Sequence, residues 1–245
     1  MLTVPTLEKL RELRLDGMVR GFEEQLSSAE CHALTFEERL GLLVDRELTE
    51  RNNRRLKTRL QRAKLRQQAC MEDIDYHQTR GLDKSLMKSL AVCQWIRDHL
   101  NVLIAGSTGV GKSFIACALG HRACLEGFKV FYARAPRLFG ELEVARGDGR
   151  YVKLMNTIAK SHLLIIDDWG LSILTDKEQR ELLEILEDRN GIHSTIIASQ
   201  IPVENWHEVI GNPTLADAIM DRLIHSAYKI NLKGESMRKK KSKLP

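Results

Sequence analysis

The stretch Asn101-Val-Leu-Ile-Ala-Gly-Ser-Thr-Gly-Val-Gly-Lys-Ser-Phe-Ile-Ala-Cys-Ala-Leu-Gly120 decides the fold. Val102 to Ala105 is a short apolar run that reads as a buried strand, and it breaks at Gly106. From Gly106 to Ser113 the chain spells G-x-x-x-x-G-K-S. Helical spacing follows, with Phe114, Ala118 and His121 along one side. Strand, glycine-rich loop and helix, in that order, form the setting in which this motif binds phosphate. Gly106, Gly109 and Gly111 let the backbone turn tightly and approach an anion. The N–H groups of the loop (Ser107, Thr108, Gly109, Val110, Gly111) and of the helix start, through Phe114, then face a triphosphate. Lys112 reaches the β- and γ-phosphates, and the Ser113 hydroxyl is placed to ligate Mg²⁺. ATP and Mg²⁺ are the cofactors this chemistry implies. The competing reading, a glycine-rich turn with an exposed lysine, is disfavoured by the strand before the loop and the helix after it.

Outward from that loop, the bulk numbers set limits. The 245 residues are 43% hydrophobic, enough for a nucleotide domain plus a small accessory one. Basic residues number 38 and acidic ones 33, so the distribution of charge says more than the net +5. The five cysteines form no C-x-x-C pair and no cluster with histidine, which fits reduced thiols in a cytoplasmic protein. No apolar run reaches membrane-spanning length and the N-terminus carries no signal-peptide pattern, so no membrane partner is expected.

Residues 1–75 read as a small all-helical domain, and residues 76–245 as the nucleotide domain with a short basic tail. Leu15, Met18, Phe22 and Leu26 follow 3-4-4 spacing. Thr35-Phe36-Glu37-Glu38 is a capping box that starts a further helix. That helix turns basic: Arg51, Arg55, Arg59, Arg62 and Arg66 are spaced 4-4-3-4, which predicts one stripe of guanidinium groups. Such a stripe suits DNA phosphates, although a solvated face or an acidic protein partner would show the same spacing. Residues 71–100 form a junction, with one helix through Leu86, Leu90 and Cys93 ending near His99. Arg80-Gly81-Leu82 is a turn that could line a base pocket, though its spacing does not establish this.

Downstream, strands are expected at 129–133, 162–166, 194–198 and 228–232. Helices are expected at 138–144, 176–189 and 214–224, with an exposed turn at 146–150. The alternation predicts an α/β fold with a parallel five-stranded sheet covered on both faces, its active edge at the strand C-termini. The strand 162–166 ends in Asp167-Asp168. Asp167 would hold Mg²⁺ and Asp168 would polarise the attacking water. Gln200 follows the next strand and reaches toward the γ-phosphate. Arg222 is either a cation offered to a neighbouring subunit's nucleotide or an intramolecular partner of Asp217 or another acid. Lys112 is the only cation the reading places at the phosphates in cis.

The segments GSTGVGKS, LLIIDDWG, TIIASQ and DAIMDRL, in this order, resemble the AAA+ P-loop ATPases. Within them the chain is similar to the IstB-like ATP-binding family, helper ATPases of bacterial insertion sequences related to the DnaC helicase loaders. The likeness spans nearly the whole chain and implies an AAA+ core without a C-terminal lid domain. It implies an ATPase that assembles on double-stranded target DNA as a homo-oligomer, with active sites between subunits, and delivers that DNA to a cognate transposase. A DnaC-like helicase loader, or a DNA-binding module using ATP only for assembly, are the alternatives. By resemblance, Lys112 and Ser113 belong to Walker A, and Asp167 and Asp168 to Walker B. Gln200 takes the sensor-one position, Arg222 the arginine-finger position and Arg238 that of a second sensor. Two departures stand out: Asp168 occupies a position that is commonly Glu, and Gln200 one that is commonly Asn.

Overall fold

The computed structural model describes residues 3–28, 30–76 and 80–237. The chain divides into two compact units, Met1–Thr58 and Arg59–Pro245. The division falls before the 75/76 boundary expected from sequence. The residues from Arg59 onward already pack within the second unit: Arg59 Nε donates to the Cys124 carbonyl at 2.8 Å, and Ala63 is buried.

The first unit is helical, with α1 (Thr3–Glu12), α2 (Asp16–Ser27) and the greater part of α3 (Phe36–Ala63). Helix α3 starts at the predicted box: Thr35 N donates to Glu38 at 2.8 Å, and Glu38 N to Thr35 Oγ1 at 3.3 Å. Buried Glu47 caps α2 from across the unit, accepting from Gly17 N at 2.7 Å and Met18 N at 3.2 Å. A Cβ at Gly17 would stand 2.6 Å from the Glu47 Cα, so only glycine permits this crossing.

In the second unit, α4 (Lys84–Ala91) and α5 (Gln94–Arg97) precede β1 (Asn101–Gly106) and α6 (Lys112–Leu125). Strand β2 (Val130–Arg134), α7 (Ala135–Gly147), α8 (Tyr151–Ala159) and β3 (Leu163–Trp169) follow. Next come α9 (Asp176–Glu187), β4 (Ser194–Ser199), α10 (Trp206–Ile210), α11 (Pro213–Ile224) and β5 (Ala227–Leu232). The five strands are parallel in the order β2-β3-β4-β1-β5, as the α/β reading expected. Val102 of β1 stands between Ile196 of β4 and Tyr228 of β5. Leu163 to Ile166 are all buried, which is why β3 is continuously apolar rather than alternating. This order makes the C-terminal ends of β1, β4 and β3 neighbours. The phosphate loop, Gln200 and the two aspartates therefore meet at one edge.

Two of the elements that differ from the sequence expectation have a visible cause. The single helix before β1 is broken, because Cys93 takes a left-handed φ of 60° and α5 starts after it. Helix α8 was not anticipated; it follows Gly149 (φ 79°), where the turn signals drew the reading away from helix.

The base of the sheet is held by Arg189, which is buried and makes no ion pair among the described residues. It donates to the carbonyls of Ile158 (2.7 Å), Ser161 (2.8 Å) and Ser194 (2.5 Å), tying the end of α8 to the start of β4. Burial pulls its pKa down to about 9. The same burial, with the charges of Arg189, His162 and His99, pushes His193 from 6.5 down to about 4. A base that resists protonation when folded stabilises the fold fully above its unfolded pKa, and that stabilisation is lost as pH falls. The chain should therefore lose stability between about pH 6.5 and pH 4. His193→Gln should flatten that part of a plot of denaturation midpoint against pH. Parallel curves for the two proteins would remove His193 from the account.

Candidate nucleotide site

The loop 106–111 is shaped by what presses on its glycines. Gly106 (φ 152°) lies against the Leu232 carbonyl, which a Cβ would strike. Gly109 (φ 85°) lies against Ser236 in the same way, and its carbonyl accepts from Met237 N at 2.9 Å. Gly111 (φ 105°) lies against Arg80, whose Nη1 would be 2.7 Å from a Cβ there. Gly111 is also the N-cap of α6, so the N–H groups of the first turn, Lys112 to Phe114, open onto the loop. Lys112 Nζ donates to the carbonyls of Gly106 (2.7 Å) and Ser107 (2.8 Å), curled over the loop where a phosphate chain would lie. Val110 is buried and holds the loop to the core.

Opposite the loop, Asp167 is fully buried. Its Oδ2 accepts from Tyr132 OH at 2.7 Å and its Oδ1 from Asp168 N at 2.9 Å. Burial, then the neighbouring Asp167 charge, raises the Tyr132 pKa, so this hydroxyl stays a donor. Asp168 has φ 56°, a left-handed value that Asp tolerates better than most residues. Its Oδ2 accepts from Arg134 Nε at 2.5 Å and from Arg66 Nη1 at 3.2 Å. Thr108 Oγ1 donates to Gln200 Oε1 at 2.6 Å, which connects the loop to the end of β4. The loop, Ser113, Phe114, Asp168 and Gln200 all line one cavity of about 590 Å³, together with Arg66, Arg80 and Arg134. The hydroxyl of Ser113 and the carboxylate of Asp167 are hard oxygen donors that fit Mg²⁺. No cluster of three or more His, Cys, Asp or Glu suited to a metal occurs among the described residues.

Three sequence expectations need correction or relocation. Lys112 is not the only cation at the site in cis, since Arg66, Arg80 and Arg134 share its cavity. Arg134 could have been found, because it ends a strand on the edge where such sites form. Arg66 does not continue the helical stripe: α3 stops at Ala63, Lys64 turns at φ 51°, and Arg66 goes to Asp168. Burial pulls its pKa down, but the neighbouring Asp168 and Asp167 carboxylates outweigh that and raise it. Of the other stripe residues, Arg51 pairs with Glu47 at 2.6 Å, Arg59 meets the Cys124 carbonyl, and Arg55 and Arg62 are exposed.

Arg222 is away from the loop. Its backbone carbonyl accepts from Asn101 Nδ2 at 3.0 Å, at the start of β1, whereas the phosphate loop leaves the strand's other end. Its side chain pairs with Glu187 at 2.8 Å, not with Asp217, and donates to the Ala218 carbonyl at 2.7 Å. Arg238 lies outside the described residues. Among the described residues, no helix is long and apolar enough to cross a membrane.

A family model described as IstB-like ATP binding protein matches residues 8–244. The insertion sequence ATP-binding protein y4pL of Sinorhizobium fredii is 54% identical over 239 residues, 98% of this chain and 98% of its own. The ATP-binding protein of insertion sequence IS1162 from Pseudomonas fluorescens is 47% identical over 203 residues, 82% of this chain and 88% of its own. In solved structures, the DnaC helicase loader superposes with a TM-score of 0.55 at 17% identity, over 67% of this chain and 97% of that one. The replication initiator DnaA bound to AMPPCP and single-stranded DNA gives 0.57 at 17%, over 70% and 52%. Those two likenesses speak for the AAA+ fold alone. With a phosphate loop facing a paired-aspartate strand end, and with its length matched almost throughout, the chain belongs to the IstB-like ATP-binding protein family.

Proposed function

We propose that this chain is an ATP-hydrolysing, DNA-binding helper of insertion-sequence transposition. It binds ATP with Mg²⁺, assembles on duplex target DNA as a homo-oligomer, and hands that DNA to a cognate transposase. The observation that carries the reading is the meeting of the loop, Asp168 and Gln200 around one cavity, with Asp167 directly behind. Lys112 and the α6 N-terminus bind the phosphates; Ser113 and Asp167 would hold the metal, which would neutralise developing charge. Asp168 polarises water, and Gln200, steered by Thr108, orients it. The relatives' names supply the transposition setting, and the match over nearly the whole chain favours it over a helicase loader. The test is ATP turnover against added duplex DNA. We expect acceleration by duplex; a flat, near-zero rate would reduce ATP to an assembly ligand, and preferential single-strand stimulation would favour a loader.

The DNA contact is proposed for the basic residues of α3, with Arg55 and Arg62 as the stripe members that are exposed and unpaired among the described residues. Neither makes an ion pair among the described residues, so both are available to phosphate. Neutralising both to Gln should reduce the slope of log affinity against log salt by about 2, because each phosphate contact contributes about 0.9. Affinity should fall similarly for unrelated duplexes. A slope equal to wild type would return these arginines to a solvated face.

A further inference from the structure

Arg80 is a buried arginine with no ion-pair partner among the described residues, and it sits against the phosphate loop. Its Nη1 donates to the Val110 carbonyl at 3.0 Å and its Nη2 to the Asp75 carbonyl at 2.9 Å. Its Nε is buried without a hydrogen-bond partner among the described residues. The backbone beneath it is fixed on β5: the Arg80 carbonyl accepts from Lys233 N at 2.9 Å, and Gly81 (φ 72°) leaves no room for a Cβ beside the Asn231 carbonyl. The guanidinium is therefore held in place from two sides.

Two physical consequences follow. In a trans peptide the C=O and N–H point in opposite directions. Pinning the Val110 carbonyl to Arg80 thus turns the Gly111 N–H away from Arg80. A buried guanidinium that makes no ion pair among the described residues is also costly to the fold, and burial lowers its pKa although the nearby Asp75 charge works the other way. An anion at the adjacent loop would offset that cost.

We propose that Arg80 is a positioning residue of the nucleotide site. It fixes the Val110–Gly111 peptide so that the Gly111 N–H meets the polyphosphate, and it adds a fixed cation beside Lys112 in cis. This rests on the ATP-binding reading above. Its ligand is the polyphosphate, not the base.

The experiment compares wild type, Arg80→Met and Arg80→Lys as full-length chains, by calorimetric titration with ATP and with inorganic tripolyphosphate, and by melting without ligand. Arg80→Met should melt no lower than wild type, since a buried charge that makes no ion pair among the described residues is replaced by an apolar side chain of similar length. It should bind both ATP and tripolyphosphate about tenfold or more weakly, the scale of one charged hydrogen bond. Arg80→Lys, which keeps the charge and loses the fork, should recover part of that affinity. Three results would overturn the proposal. One is wild-type ATP affinity in Arg80→Met. Another is weakened ATP binding with unchanged tripolyphosphate binding, which would assign Arg80 to the base. The third is a lower melting point with wild-type affinity in the folded fraction, which would make it purely structural. If Arg80→Met does not fold, Arg80→Lys carries the test, and wild-type tripolyphosphate affinity in it refutes the proposal. Failure of the wild-type chain to bind either probe would instead sink the ATP reading itself.

Discussion

A mixture of Lys112→Ala and Arg222→Ala subunits should hydrolyse ATP on duplex DNA although neither variant does so alone. The Lys112→Ala subunit has lost the lysine that curls over the loop, but keeps its arginine. The Arg222→Ala subunit keeps an intact loop. Arg222 cannot serve the loop of its own subunit. Its backbone is bonded to Asn101 at one end of β1, and the loop starts at Gly106 at the other, about 17 Å away at ordinary strand rise. Its present partner, Glu187, is half exposed, so the pair can be exchanged for a phosphate. An arginine supplied in trans is worth about 10³–10⁵ in rate. Restored turnover in the mixture, with mixed assembly verified, is the expected result. Silence in such mixtures would leave Arg222 as a structural ion-pair residue.

Asp168→Asn should bind ATP as wild type does and lose about 10²–10⁴ in turnover, the usual range for a positioned general base. Asparagine is the informative replacement because it tolerates the left-handed φ of 56° at this position. The change therefore removes the negative charge without straining the strand end. It also loosens the grip of Arg134 and Arg66, which both donate to Asp168 Oδ2. If single-turnover hydrolysis by Asp168→Asn matches wild type, water activation belongs to another group.

The parts of the site legible from sequence were those in which a strand, its turn and the following residues lie close together in the chain. The loop from Gly106 to Ser113 and the pair Asp167-Asp168 were of this kind, and so was the parallel sheet that relates them. Arg134 and Arg80 were harder to place, because each acts on a partner about thirty residues away, beyond the reach of any periodicity. Arg66 was misplaced for a local reason. Its spacing continues a helix that ends at Ala63, and Lys64 turns the chain through a conformation that spacing cannot reveal. Helix α8 hid behind glycines at 147 and 149, which read as a turn although α7 simply ends and a new helix begins after it.

The three loop glycines lean on Arg80, Leu232 and Ser236, so the loop's shape depends on segments far apart in the order of synthesis. The residues at 232 and 236 leave the ribosome long after those at 106 to 111. A nascent chain therefore carries the whole phosphate motif while lacking the walls that mould it. Nucleotide capture should begin only once β5 is released, so ATP can act as a ligand of the finished chain but not as a template for the growing one.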